Sequence, residues 1–184
     1  MQARPAAPSP IGVNETIAGL GDGKITGVST AMEYKLANAQ SWADCPGTEI
    51  NGLAVGNYQV RSKATGSAFA STAANVTIAS GAAVTKVLNI TAPTFAAITE
   101  GDAQPSAQNI TIANSGNTAA TISDISLTEG DTTAFVLSGS GTDVAAGGSI
   151  STRQIQPAAG LTSNHTNGTA KTYTATITVT YDGG

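Results

Sequence analysis

Leu53-Ala-Val-Gly-Asn-Tyr-Gln-Val-Arg61 decides the fold class of this chain. A turn at Val55-Gly56-Asn57 runs into a strand opened by Tyr58. From there the side chains alternate, with Tyr58, Val60 and Ser62 on one face and Gln59, Arg61 and Lys63 on the other. Period two with one apolar and one polar face is the signature of a half-buried strand. A similar layout returns near the end, where Gly168-Thr169 leads into Lys171-Thr-Tyr-Thr-Ala-Thr-Ile-Thr-Val-Thr-Tyr181. The second copy lacks the Leu…Gly-x spacing before its tyrosine, so it points to a different sandwich type and not to a duplicate. Two such strands, far apart, predict an all-β chain of two β-sandwiches in series.

Composition agrees. The 184 residues are long for one small sandwich and sufficient for two of roughly 90 residues each. Charged residues are 11% of the chain, well under the usual quarter, and Ala, Thr, Ser, Gly and Asn take their place. That is the palette of strands and turns. Residues 1–92 carry six Lys/Arg against five Asp/Glu, and residues 93–184 carry two against seven. Neither half forms a basic patch, which argues against nucleic acid and anionic membrane as partners. No apolar run reaches transmembrane length, and the Pro-rich start lacks the apolar core of a signal peptide. A start in a linker and a stop at Tyr181-Asp-Gly-Gly184, directly after a strand, suggest a piece of a longer protein.

Working outward, residues 1–10 read as a linker because Pro5, Pro8 and Pro10 block regular pairing. Candidate strands follow at Ile11–Leu20, Lys24–Val28, Ala31–Ala37, Thr48–Asn51, Tyr58–Ala64 and Ala74–Ile78, with turn residues between them. Ala83–Ile90 fits either a last strand or an extended connector, so the boundary belongs near 80–93. We take 11–90 as the first domain and 91–184 as the second. In the second, Thr94–Ile98, Gln108–Ala113, Ala119–Leu127, Phe135–Leu137, Ser149–Ile155 and Thr172–Tyr181 read as strands, with an irregularity between Ile122 and Ile125. Asn114-Ser-Gly-Asn117 is a strong turn, and 157–168 a long polar loop.

With these residues in place, a resemblance emerges. Lys24-Ile-Thr-Gly-Val28, Met32-Glu-Tyr34, Ser41-Trp42, Cys45 and Leu53–Arg61 resemble a fibronectin type III-like or immunoglobulin-like module of large bacterial cell-surface proteins. The second half resembles another immunoglobulin-like sandwich, related to the major sperm protein fold, through Thr94-Phe95, Asn109–Asn117, Phe135–Leu137, Ala145–Ser149, Gln156-Pro157 and Tyr173–Tyr181. The resemblance implies two tandem immunoglobulin-like β-sandwiches in an exported, extracellular or cell-surface protein, whose partners are neighbouring domains of the same polypeptide. It also implies a structural role for Tyr58, the tyrosine whose hydroxyl bonds back to upstream backbone in such modules. Trp42 is expected in the first core, as the single Trp of these sandwiches commonly is.

Residues with chemistry are few. His165 is the single histidine, set in an Asn/Thr/Gly-rich loop, and no Gly-x-Ser-x-Gly elbow accompanies it. Cys45 stands alone, so no intrachain disulfide forms, and Pro46-Gly47 beside it reads as a turn. Cys and His together supply too few ligands for a metal. Asp22 in Gly21-Asp-Gly23 and the Glu129-Gly-Asp131 turn lack the spacing of a calcium loop. Sequons occur at Asn14, Asn75, Asn89, Asn109, Asn164 and Asn167, which we ascribe to a chain rich in Asn and Thr. Lys86 and Lys171 are positional candidates for an internal isopeptide bond to an Asn. The expected function is therefore non-catalytic, with no catalytic, cofactor or metal residues: a structural spacer or adhesion-type module. The alternatives are a module that binds a glycan or a host protein, using Trp42, and an accessory domain of an exported enzyme.

Overall fold

In the structure, a computed structural model that describes residues 4–162 and 170–183, the strands pair antiparallel, and an isolated bridge between Ile17 and Ala82 is parallel. The chain divides into two compact units, Met1–Val84 and Thr85–Gly184.

The first unit holds β1 (Ile11–Val13), β2 (Gly23–Thr26), β3 (Met32–Leu36), β4 (Ala43–Asp44), β5 (Glu49–Leu53), β6 (Gly56–Ser62) and β7 (Ala74–Ile78). One sheet runs β1-β2-β5 and the other β4-β3-β6-β7. Both feed one core: Ile25, Ile50 and Leu53 come from the first sheet, and Tyr58, Val60, Val76 and Ile78 from the second. The alternation in Tyr58–Lys63 sends Tyr58 and Val60 into that core and leaves Gln59 and Arg61 on the opposite face.

The second unit holds β8 (Leu88–Thr91), β9 (Gln108–Asn114), β10 (Ala120–Gly130), β11 (Phe135–Gly139), β12 (Asp143–Val144), β13 (Ser149–Pro157) and β14 (Ala175–Tyr181). Its sheets run β11-β13-β9-β8 and β12-β10-β14. Ile110, Ile112, Ile122, Val144 and Ile155 form its buried centre, so again both sheets share one core. Two layers over one core are compatible with a β-sandwich in each unit.

Several elements differ from the sequence pattern. The long first strand stops at Val13. Beyond it the backbone curls around the buried Glu15, whose carboxylate accepts from Gly19 N–H at 2.9 Å and Gly21 N–H at 3.0 Å. Of Ala83–Ile90, the latter part joins the second unit, since Leu88–Thr91 pairs with β9, while Ala83 and Val84 fall in the first; the 90/91 division lies inside that strand. Thr94–Ile98 forms no strand; Phe95 instead packs against the second core and lies 6.5 Å from Phe135, ring to ring. Ala119–Leu127 becomes one longer strand, with register shifts between Ile122 and Asp124 and between Thr128 and Gly130.

Candidate functional site

The outer face of the β4-β3-β6-β7 sheet gathers the densest group of charged and aromatic side chains in the first unit. Register sets Glu33 opposite Arg61 on β6 and opposite Asp44 on β4. Arg61 Nε donates to Glu33 Oε1 at 2.6 Å, and Lys63 pairs with Asp44 at 2.8 Å. Trp42, just before β4, lies against this row. The Arg61 guanidinium sits 4.0 Å from its ring centroid and the Lys35 ammonium 5.3 Å, while Lys35 also donates to Ala39 O at 2.7 Å. Trp42 is therefore half-buried on the polar face and outside the first core, contrary to its expected place. The physical reason is that two cations satisfy the indole face where it lies. The sequence carries only part of the signal: the alternating Glu33/Lys35 and Gln59/Arg61/Lys63 rows mark polar faces, and the pairing of β3 with β6 makes them one face beside Trp42.

Tyr58 is in the core at 5% exposure, and its hydroxyl donates to Ala54 O at 2.9 Å, four residues upstream. Burial above all, with the nearby Tyr34 and Glu15, raises its phenol above the usual value. Cys45 belongs to the same core, and burial is the first cause that pushes its thiol up. A thiol so placed is a small apolar filler and a poor nucleophile.

Asp22 accepts from Thr16 N–H at 2.9 Å and from Thr16 Oγ1 at 2.5 Å, and these bonds lower its pKa. It closes the loop that Glu15 organises from within. Among the described residues, no three His, Cys, Asp or Glu side chains gather as a metal site would require. His165, Asn164 and Asn167 lie outside the described residues. Asn14 accepts from Ala79 N–H, while Asn75, Asn89 and Asn109 stand within strands.

In the second unit Lys86 meets the carboxylate of Asp182, not the Asn that the proposed cross-link would use. The Lys171 ammonium lies 4.2 Å over the ring of Tyr173. The residue that sequence reasoning passed over is Asn114. It is buried at 2% exposure and works in both directions. Its Nδ2 donates to Thr118 O at 2.8 Å and Val144 O at 3.1 Å, and its Oδ1 accepts from Gly116 N–H at 2.9 Å. Asn117 Oδ1 accepts from Thr85 N–H at 2.8 Å, and Asn117 N–H donates to Thr85 Oγ1 at 3.1 Å. The Asn-Ser-Gly-Asn turn thus clamps the chain entering the second unit. Set against known proteins, the chain matches no family model and no curated protein.

Proposed function

We propose that the chain is a non-catalytic spacer of a secreted or cell-surface multidomain protein, built from two immunoglobulin-like sandwiches of which the first is fibronectin type III-like. The observation that carries this reading is the partition of the first unit into β1-β2-β5 and β4-β3-β6-β7 around one core, with the Tyr58 hydroxyl tied to Ala54 beside the β5–β6 turn. Two self-contained cores in series suit a chain that holds other domains apart. The row of paired charges over Trp42 supports the same reading, because the indole face that a pyranose would stack on already carries a guanidinium. Pulling the whole chain between two handles tests it. We expect two separate unfolding events, each lengthening the tether by about 3.5 Å per residue released. A glycan or host-protein panel that shifts Trp42 fluorescence at micromolar concentration would replace the spacer with a binding module.

A further inference from the structure

The edges of the four sheets are unequal. β4 and β12 are two residues long, β1 three and β8 four. β5 is interrupted by Gly52 at φ 72° and carries Glu49, and β11 ends on Gly139 at φ 86°. Short, charged or broken edges resist pairing with another chain. β7 is five residues long and likewise without charge, Pro or Gly, but β1 lies close along it, a Cβ on Gly12 falling 2.5 Å from Thr77 O. β14 is the longest edge among the described residues. It is a seven-residue edge, Ala175-Thr-Ile-Thr-Val-Thr-Tyr181, without charge, Pro or Gly. Its one strand neighbour among the described residues is β10, and both register shifts of that pair lie on β10, so β14 itself stays regular. Ile177, Val179 and Tyr181 pack on the second core yet remain half-exposed, while Thr176, Thr178 and Thr180 face solvent.

We propose that β14 pairs antiparallel with β14 of a second copy of this chain, about a two-fold axis through Thr178. The strand is its own complement. Pairing about Thr178 sets Thr178 against Thr178, Ile177 against Val179, Thr176 against Thr180 and Ala175 against Tyr181. Each pair therefore joins side chains of the same face. A one-residue slip would set every Thr against an apolar residue. Among the registers that keep the faces matched, this one alone keeps all seven residues in the ladder. Asp182 then falls opposite Thr174, so no like charges oppose one another. The antiparallel arrangement is isologous and closes as a dimer, whereas a head-to-tail edge pairing would run on. This pairing is independent of the spacer reading: spacers and binding modules alike work as monomers or as dimers.

Disulfide trapping with the full chain tests it. Opposed residues in an antiparallel pair have Cα atoms about 4.5–5.5 Å apart, within disulfide reach. Thr178→Cys should oxidise to a covalent dimer at least tenfold faster than Thr176→Cys, whose self-distance in this register is about 14 Å. Mixing Thr176→Cys with Thr180→Cys should restore rapid cross-linking. The buried Cys45 is a silent background. In sedimentation velocity, Thr178→Lys should weaken the dimer at least tenfold, and an equal mixture of Thr178→Lys with Thr178→Asp should re-form it. Equal trapping at 176 and 178, or a dimer indifferent to Thr178→Lys, overturns the proposal. A wild-type chain that stays monomeric at millimolar concentration also overturns it and leaves the edge to a foreign strand.

Discussion

Tyr58 joins two demands in one side chain: its ring fills the first core, and its hydroxyl holds Ala54 O beside the turn into β6. Tyr58→Phe keeps the ring and abandons that carbonyl, which predicts a loss of about 1–2 kcal/mol in urea unfolding followed by Trp42 fluorescence. The phenol is raised on folding, so its contribution is complete below the unfolded value and is lost as pH climbs through the folded one. Above about pH 10 the wild-type chain should therefore lose stability more steeply than Tyr58→Phe. The acid limb runs the other way. Asp22 is held below the ordinary aspartate range by the Thr16 hydroxyl and amide, and Asp182 by Lys86 and the Thr121 amide. Such carboxylates contribute above the unfolded value and cease to as pH falls through the folded one, so the loss lies below about pH 4. Asp22→Asn should flatten that decline for the first unit and Asp182→Asn for the second, in urea melts repeated across the acid range. The alternation around Tyr58 was readable because period two is a local property. Trp42 was misplaced because its partners, Lys35 and Arg61, come together only once β3 and β6 pair.

At the scale of elements, the turn between β9 and β10 shows how far a local motif can be read. Asn-Ser-Gly-Asn announces a turn from its residue types alone. Its tertiary role depends on Thr85–Val87, some thirty positions upstream, and no periodicity links the two. Asn114 is buried because its amide replaces backbone partners that the turn would otherwise leave unpaired, at Gly116, Thr118 and Val144. Gly116 faces the entering chain so closely that an added Cβ would lie 2.3 Å from Thr85 O. Gly116→Ala should cost about 1–3 kcal/mol, because the obstacle is backbone and cannot rotate away. Guanidinium unfolding followed by far-UV circular dichroism should show the second transition moved and the Trp42 transition unmoved. The same reasoning explains the shortened first strand. Ile11–Leu20 has the composition of a strand, but Glu15 is buried and takes its hydrogen bonds from Gly19 and Gly21, which closes a loop instead.

At the scale of the molecule, two cores lie on either side of the Val84/Thr85 division, and no residue is common to both. The all-β class was legible because low charge, abundant Thr and Val and repeated turn signals act together over the whole length. The division was harder to place, since Ala83–Ile90 has strand character whichever unit it joins and only pairing with β9 assigns its latter half. Separate cores predict separable stabilities. Ile25 and Ile112 are both fully buried, one at the centre of each core. Truncating either to Ala should cost about 2–5 kcal/mol, the sum of lost transfer energy and the cavity left behind. Trp42, the single tryptophan, reports the first unit alone, whereas far-UV circular dichroism reports both. Ile25→Ala should therefore lower the midpoint seen by fluorescence and leave one dichroism transition in place. Ile112→Ala should lower the other dichroism transition and leave the fluorescence midpoint unchanged. If either substitution moved both probes together by the same amount, the units would be one cooperative body, and a spacer of two independently closed modules would be the wrong description.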